Sequence, residues 1–259
     1  MRNYCTFMQK ELMENLRTKN ILVLACVFAF FAIVSPLMAR YLPEIMGLFA
    51  GGDEMTRVLL EMMPEPTFVD SYVGFFTNMA QIGAITVILV YMSSVLREKR
   101  SGTADVMLTK GLKTREFVLA KFTVASGIIV VATFLSVLVT YAYTLLLFGE
   151  AGQIASVVLA GFAFTVFLLM FLAITLMFSA FAKGTGGSAV YSLLAYFLIS
   201  ITTIFARIGQ YSPGSLMTTP IPISQGVTPD GIFGSIIVSV VIAVLALWGA
   251  IRLTAKRQV

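Results

Sequence analysis

The 259-residue chain is 58% hydrophobic and only 12% charged, whereas about a quarter of the residues in soluble domains are charged. With a mean hydropathy of +0.93, this composition excludes an ordinary soluble protein and predicts a membrane protein. The net charge of +5 does not indicate nucleic-acid binding, because basic residues accumulate in the cytoplasmic loops of membrane proteins. The chain has no histidine, which excludes Ser-His nucleophilic pairs and His-ligated metal centres.

The first predicted element is an amphipathic helix over residues 1–19, lying in the membrane interface. Its polar side carries Lys10, Glu14 and Arg17. Its apolar residues recur at helical spacing: Tyr4, Phe7, Met8, Leu12 and Leu16. An amphipathic segment of this kind is typical of a helix that lies on a membrane surface. The alternative is a frayed N-terminal tail.

Six long apolar stretches follow and predict six transmembrane helices, since about 20 residues are needed to cross a bilayer. They cover about residues 20–39, 71–96, 120–148, 153–182, 186–206 and 231–252. The segment 207–230 is also poor in charge, but it contains four prolines among many Ser and Thr residues. Such a backbone cannot satisfy its own hydrogen bonds in lipid, so we expect an outer re-entrant or surface segment. The predicted fold is a single all-α polytopic transmembrane domain over residues 1–259.

The distribution of charge predicts the orientation of these helices. If both termini are cytoplasmic, 15 of the 18 lysines and arginines lie on the cytoplasmic side, and eight of the 13 acids lie outside. This bias is what the positive-inside rule requires. Residues 97–119, between the second and third spans, are therefore predicted to form a cytoplasmic loop.

No Asp, Glu, Lys, Arg or His lies well inside a predicted span. Ion-coupled transporters usually retain such groups to bind or relay charge, so the energy for any transport is expected to come from elsewhere. Asn78 and Gln81, in the outer half of the second span, are the candidates for lining a substrate path. The small and hydroxylated residues of the other spans are more typical of helix packing. A path without charge fits lipids, hydrophobic drugs or peptides better than small ions.

The cytoplasmic loop contains the pattern of a short helix. Thr103 can cap it, Asp105 lies in its first turn, Lys110 in its last, and Gly111 ends it. One side of this helix is lined by Ala104, Met107 and Leu108. A helix of two turns is marginal in water, so we expect it to dock on a partner. The alternative is a basic loop that only touches lipid headgroups.

These residues resemble the first cytoplasmic loop of bacterial ABC exporter permeases of the type-2 family. The matching residues are Glu98, Gly102, Thr103, Asp105, Leu108, Arg115, Glu116, Phe117, Val118, Leu119 and Lys121. The resemblance implies a homodimeric or heterodimeric pore subunit that works with a separate ATPase, which would bind ATP and Mg. It also implies that the loop is a coupling helix held in a cleft of that ATPase. The family often has a proline in the turn after this helix, where this chain reads "TKGLKT".

The function expected from these observations is that of a multi-pass permease subunit of an ATP-driven exporter in the bacterial inner (plasma) membrane. The chain is not expected to be an enzyme itself, because it has no Gly-x-x-x-x-Gly-Lys-Ser/Thr phosphate-binding loop. The predicted ATPase-binding residues are Glu98, Gly102, Thr103, Ala104, Asp105, Met107, Leu108, Arg115 and Glu116. The alternative function is an ion-coupled secondary transporter or channel. No cofactor or metal is expected in this chain, and lipid is expected around it.

Overall fold

The computed structural model describes residues 2–49, 65–103, 107, 109, 111, 113–203, 205 and 209–256. All regular elements within these ranges are helical. The α-helices in chain order are α1 (Arg2–Arg17), α2 (Asn20–Phe49), α3 (Phe68–Asn78), α4 (Ala84–Tyr91), α5 (Ser94–Arg100), α6 (Thr114–Phe148), α7 (Ile154–Phe181), α8 (Thr185–Thr202), α9 (Pro220–Ser224) and α10 (Ile232–Lys256). A π-helical segment, Met79–Gly83, joins α3 to α4, and a 3-10 helix, Pro213–Met217, precedes α9.

Six helical stretches in the described part of the chain are long and apolar enough to cross a membrane. They are Asn20–Leu48, Phe68–Arg100, Thr114–Phe148, Ile154–Phe181, Thr185–Thr202 and Ile232–Ala255. The prediction of an all-α protein with six spans is therefore confirmed. The placement of α1 at the interface and of both termini in the cytoplasm stay predictions.

The first span is longer than its charge-free stretch. Helix α2 continues through Pro36 and Pro43 to Phe49, which is possible because neighbouring helices can satisfy the backbone groups that a proline leaves open in a transmembrane helix. Arg40, the first charged residue of this helix after Asn20, lies with its Cζ 6.0 Å from the ring centroid of Phe148. A cation above an aromatic face is attracted by the ring quadrupole, so this contact gives the arginine a partner at the end of the third span.

The fourth span, α7, is the centre of the molecule. About 72% of its most apolar window is buried within the chain, compared with 17% for the fifth span, α8. Its phenylalanines form a continuous ring contact, with centroids 5.8 Å apart for Phe164 and Phe167 and 4.9 Å apart for Phe167 and Phe171. Phe76 of α3 and Tyr196 of α8 extend the stack at 5.8 Å and 5.4 Å. Aromatic packing thus ties the second and fifth spans to α7.

The second span is built from joined pieces rather than from one regular helix. At its middle, the hydroxyl of Tyr196 donates a hydrogen bond of 3.0 Å to the carbonyl oxygen of Ala80, inside the π-helical segment. A second interruption at Met92 and Ser93 separates α4 from α5. There the backbone N–H groups of Val95 and Leu96 donate to Ser179 Oγ of α7, at 3.1 Å and 3.2 Å. Side chains of two neighbouring spans therefore satisfy the backbone where the regular ladder stops.

The proline-rich segment after α8 forms two short helical turns, the 3-10 helix and α9, whose residues are largely buried. Hydroxyl groups tie it to the last span. Ser215 Oγ lies 2.7 Å from Ser235 Oγ, and Ser235 Oγ donates to the carbonyl oxygen of Gln210 at 2.8 Å. The segment therefore packs against the protein through its own polar groups.

Candidate functional site

A cluster of buried charges joins α1 to both ends of the loop between the second and third spans. Lys121, in the second turn of α6, places its Nζ 2.9 Å from each carboxylate oxygen of Glu11 on α1. The same Nζ lies 3.1 Å from Glu98 Oε1 on α5. All three residues are at most 4% exposed. One ammonium group therefore holds together three helices that are far apart in sequence.

Lys10 and Glu14 extend this cluster toward the surface. Lys10 Nζ forms ion pairs with Glu98, with Glu14 Oε2 at 2.6 Å and with Glu11 Oε1 at 3.1 Å. The Lys10 side chain is 34% exposed, so it closes the outer side of the cluster. We refer to Lys10, Glu11, Glu14, Glu98 and Lys121 together as the charge cluster. Its three carboxylates and two ammonium groups leave one formal negative charge.

Two aromatic rings cover the charge cluster on its apolar side. The ring centroids of Phe7 on α1 and Phe117 on α6 are 5.5 Å apart. Lys121 Nζ lies 5.3 Å from the centroid of Phe117 and 5.9 Å from that of Phe7. Low-dielectric surroundings strengthen charge interactions and penalise unpaired charge. Because the two rings are apolar, an unpaired charge in the charge cluster would cost more free energy than it would in water.

Burial and pairing shift the pKa values of the two α1 groups in the charge cluster. Burial raises the pKa of the Glu11 carboxyl, and the attraction of Lys121 opposes this shift while the nearby Glu98 adds to it. For Lys10, burial lowers the pKa, but hydrogen bonds to Glu14 and Glu98 outweigh it and hold the pKa above the usual value. Lys10 therefore remains charged at neutral pH and keeps its pairs.

Three carboxylates of the charge cluster, those of Glu11, Glu14 and Glu98, offer oxygen atoms within 4.8 Å of one another. Oxygen ligands of this type suit hard divalent cations. Here, however, Lys10 Nζ already pairs with all three carboxylates, and Lys121 Nζ pairs with two of them. The arrangement is therefore that of an ion-pair network, in which ammonium groups take the place of a metal ion.

The loop itself leaves α5 through a turn of hydroxyl groups and glycines. Ser101 Oγ and Thr103 Oγ1 each donate to the carbonyl oxygen of Glu98 at 3.2 Å. Gly102 and Gly111 adopt positive φ angles of 69° and 92°, a conformation that residues with a Cβ rarely adopt. The observed left-handed Gly111 agrees with a chain that turns back at this point. Met107 packs partly buried against the core, so some of the apolar side of the loop is used within the chain.

The predicted ATPase-binding residues are in different environments. Arg115 is exposed, whereas Glu116 accepts a hydrogen bond of 3.1 Å from the backbone N–H of Lys113 and thereby caps α6. Glu98 was expected to offer its carboxylate to a partner, but it is buried in the charge cluster. Thr103 is exposed and Gly102 is half-buried. Three of the predicted residues lie outside the described residues: Ala104, Asp105 and Leu108.

Sequence reasoning did not single out Glu11, although a signal for it was present. Glu11 follows Phe7 by four residues, and residues four apart lie on the same face of a helix. A carboxylate on the apolar face of an amphipathic helix needs a buried cationic partner. The pattern indicates that a partner exists, but only the folded chain shows that it is Lys121.

The two candidates for a substrate path are placed differently. Asn78 lines a cavity of about 350 Å³ between α2 and α3, together with Ser35 and Gly74. Gln81 is exposed and belongs to the π-helical segment. A role for either residue in transport stays a prediction.

A second cavity is an apolar groove of about 620 Å³ between α1, α2 and α6. Its lining includes Leu12, Ala25, Gly127 and Leu135. The groove runs beside the charge cluster and is bounded by exposed apolar side chains.

Six apolar spans, with the charge cluster at the ends of the loop between the second and third spans, define a polytopic helical membrane protein. The model of the ABC-2 family transporter protein family matches residues 5–246, so the chain belongs to this family. It is 21% identical over 236 residues to a protein named uncharacterized transmembrane protein YxlG of Bacillus subtilis (strain 168), and the match covers 89% of this chain and 80% of that protein. The chain is a multi-pass protein of a bacterial membrane and a permease component of an ABC transporter.

Proposed function

We propose that this chain is the pore-forming permease subunit of an ATP-driven exporter, moved by a separate ATP-binding subunit that grips residues 97–119. This proposal rests on the charge cluster, which connects the two ends of the loop. Glu98 at one end of the loop and Lys121 at the other are tied to each other and to Glu11. Because both ends of the loop are fixed to spans, a push on the loop reaches the second and third spans.

The ATPase is expected in a second polypeptide. The chain has no phosphate-binding Gly-x-x-x-x-Gly-Lys-Ser/Thr sequence, and family membership assigns it the membrane part of a transporter. ATP and Mg would therefore be bound by the partner. The energy of hydrolysis would enter this chain only as mechanical displacement of the loop.

The surface offered to the ATPase is expected to be the exposed side of the loop. Thr103, Thr109 and Arg115 are exposed, while Met107 packs against the core of the chain. Leu108 and Asp105, which the sequence places in the short helix, complete the proposed surface. In this arrangement Glu98 positions the loop from within and does not touch the partner.

A second permease copy is expected beside the fifth span. Helix α8 is buried over only 17% of its apolar window, and it exposes large apolar side chains, including Leu194, Phe197 and Leu198. These features support a homodimer or heterodimer across this face.

Affinity purification of the tagged chain from its native membrane in mild detergent tests the proposal. A nucleotide-hydrolysing subunit is expected to co-purify and to hydrolyse ATP in the complex. Solute uptake by proteoliposomes that contain this chain alone, driven by a sodium or proton gradient, would instead identify a secondary transporter or channel and contradict the proposal.

A further inference from the structure

We propose that Lys121 is a positioning residue that makes α1, α5 and the first turns of α6 one rigid unit, which moves against α7 when the ATPase displaces the loop. This inference rests on the proposed function and adds to it the part of the chain that moves. We call these three elements the coupling unit. The contacts within the coupling unit and those around it differ in strength, and this difference is what supports the proposal.

Within the coupling unit, the contacts are charged and buried. Lys121 Nζ makes two bonds of 2.9 Å to Glu11 and one of 3.1 Å to Glu98, and Lys10 also pairs with Glu98. Hydrogen bonds that involve an ionised group are roughly twice as strong as those between neutral groups, and in the charge cluster both partners are ionised and buried. Separating any two of the three helices would leave a charge without its partner in a buried site, which is costly.

The hydrogen bonds from α5 to α7 and to the residues just after it include four with uncharged acceptors. Ser179 Oγ accepts from the N–H groups of Val95 and Leu96. Lys99 Nζ donates to the carbonyl oxygen of Ala180 at 3.3 Å, and Arg100 donates to the carbonyl oxygen of Lys183, two residues beyond the end of α7.

These bonds lie at the end of the span where the coupling loop begins. Lys99 is half-buried and Arg100 is exposed, so water can replace their bonds to backbone carbonyls as the helices separate. We expect this boundary to open before the charge cluster does, because its opening breaks two buried hydrogen bonds to Ser179 Oγ, whereas opening the charge cluster leaves buried charges unpaired.

The second span also contains a position at which it can bend during such a movement. Regular helix is interrupted at Met92 and Ser93, directly before α5. An interruption of the helical ladder is a position where a span can bend at lower cost than within regular helix. The coupling unit can therefore turn at Ser93 while α4, packed against α7, keeps its place.

The test measures distances in the complex of this chain with its co-purified ATPase, without nucleotide and after trapping with ATP and vanadate. The first pair of spin labels joins Cys5 on α1, which is exposed, to a Lys113→Cys variant at the start of α6, with Cys26→Ala. The second pair joins Arg97→Cys on α5 to Gln153→Cys, at the far end of α7, with Cys5→Ser and Cys26→Ala. The first distance is expected to stay the same on trapping, and the second is expected to shift.

The same first pair is then measured in the double variant Glu11→Gln with Lys121→Met. This variant removes one positive and one negative charge, so the net charge of the charge cluster is kept and folding is favoured over that of Lys121→Met alone. We expect the α1–α6 distance now to shift on trapping and the ratio of transport to ATP hydrolysis to fall. In a Lys121→Arg variant, which keeps both the charge and Glu11, the α1–α6 distance is expected to stay constant on trapping.

Several outcomes would overturn the inference alone. They are a shift of the first distance with Lys121 intact, a constant second distance, or a constant first distance in the double variant. If no ATPase co-purifies, the proposed function itself fails and the inference fails with it. The two failures are therefore distinguishable.

Discussion

Lys121 Nζ lies 2.9 Å from both carboxylate oxygens of Glu11, a residue 110 positions earlier in the chain. This bidentate contact connects the N-terminal helix to the start of the third span, and Glu98 at the end of the second span shares it. The charge cluster therefore holds both ends of the loop between the second and third spans. Variants of the charge cluster, of the two interruptions in the second span and of the proline-rich segment after α8 test these contacts.

Removing the central lysine is expected to destabilise the protein strongly. Lys121→Met leaves three carboxylates with Lys10 alone, and Glu98 Oε2 already has no hydrogen-bond partner among the described residues. Loss of one partner of a buried ion pair costs about 3–5 kcal/mol. Thermal unfolding in detergent should show a clear loss, whereas Lys113→Met, at an exposed lysine, should stay within about 0.5 kcal/mol of the parent.

The double variant Glu11→Gln with Lys121→Met is expected to be more stable than Lys121→Met alone. Removing both partners of a buried pair avoids the cost of an uncompensated charge. The two single variants and the double variant form a cycle that yields the coupling energy between Glu11 and Lys121. Additive effects in that cycle would contradict the contact described here.

Tyr196→Phe is expected to loosen the middle of the second span. It removes the hydroxyl that donates to the Ala80 carbonyl, at a net cost of about 1 kcal/mol, and it keeps the aromatic ring. Hydrogen-deuterium exchange should become faster in peptides that cover residues 79–83. The matched control is Tyr191→Phe on the same helix, where Tyr191 is exposed and its ring packs on Phe178; its exchange should match the parent.

Ser179→Ala is expected to free the start of α5. The variant leaves the N–H groups of Val95 and Leu96 without their shared acceptor, and a buried unsatisfied group costs about 1–3 kcal/mol. Faster exchange should appear at residues 94–97. Ser192→Ala provides the comparison, because Ser192 Oγ donates only to the Ser188 carbonyl oxygen within its own helix. Equal exchange in both variants would rule out the proposed role of Ser179.

Gly214→Ala is expected to disturb the proline-rich segment after α8. A Cβ at this position would lie 2.6 Å from the Ile199 carbonyl oxygen and 2.6 Å from Thr203 Cγ2, so the backbone must shift, at a cost of about 1–3 kcal/mol. Gly127→Ala is the control, because a Cβ there meets nothing within 4 Å. Thermal unfolding should show a lower stability for Gly214→Ala than for Gly127→Ala; equal stability would show that the proline-rich segment after α8 is loosely packed.

The helical class and the number of spans could be predicted from the sequence because a bilayer requires long apolar helices. The charge-free stretches mark these helices, although α6 begins at Thr114, before its lysine at position 121. Helix α6 can begin among charged residues because Glu116 caps it and Lys121 forms ion pairs with residues of α1 and α5. Such pairings join distant segments, so their existence follows from burial but their identity follows only from the fold.

The candidate site was predicted as a loop and its structure shows what holds the loop. A glycine after the predicted short helix indicates a turn, and Gly111 has a positive φ. The short helix itself stays a prediction, because residues 104–106, 108 and 110 lie outside the described residues. The inward orientation of Glu98 could not be predicted, because it depends on a lysine 23 positions later and on a helix 80 and more positions earlier. Neighbouring residues are therefore enough to predict a turn in the loop, whereas the ion pairs at its two ends join residues that are far apart in the sequence.

The central claim is that a separate ATPase grips the loop between the second and third spans. The most direct measurement is the amount of ATPase that co-purifies with Leu108→Asp, compared with Val227→Asp. Leu108 lies outside the described residues and is chosen from the sequence, while Val227 is an exposed apolar residue in the segment before the last span. We predict loss of the ATPase and of its activity from the Leu108 variant and full retention by the Val227 variant. Equal retention by both variants would contradict the account.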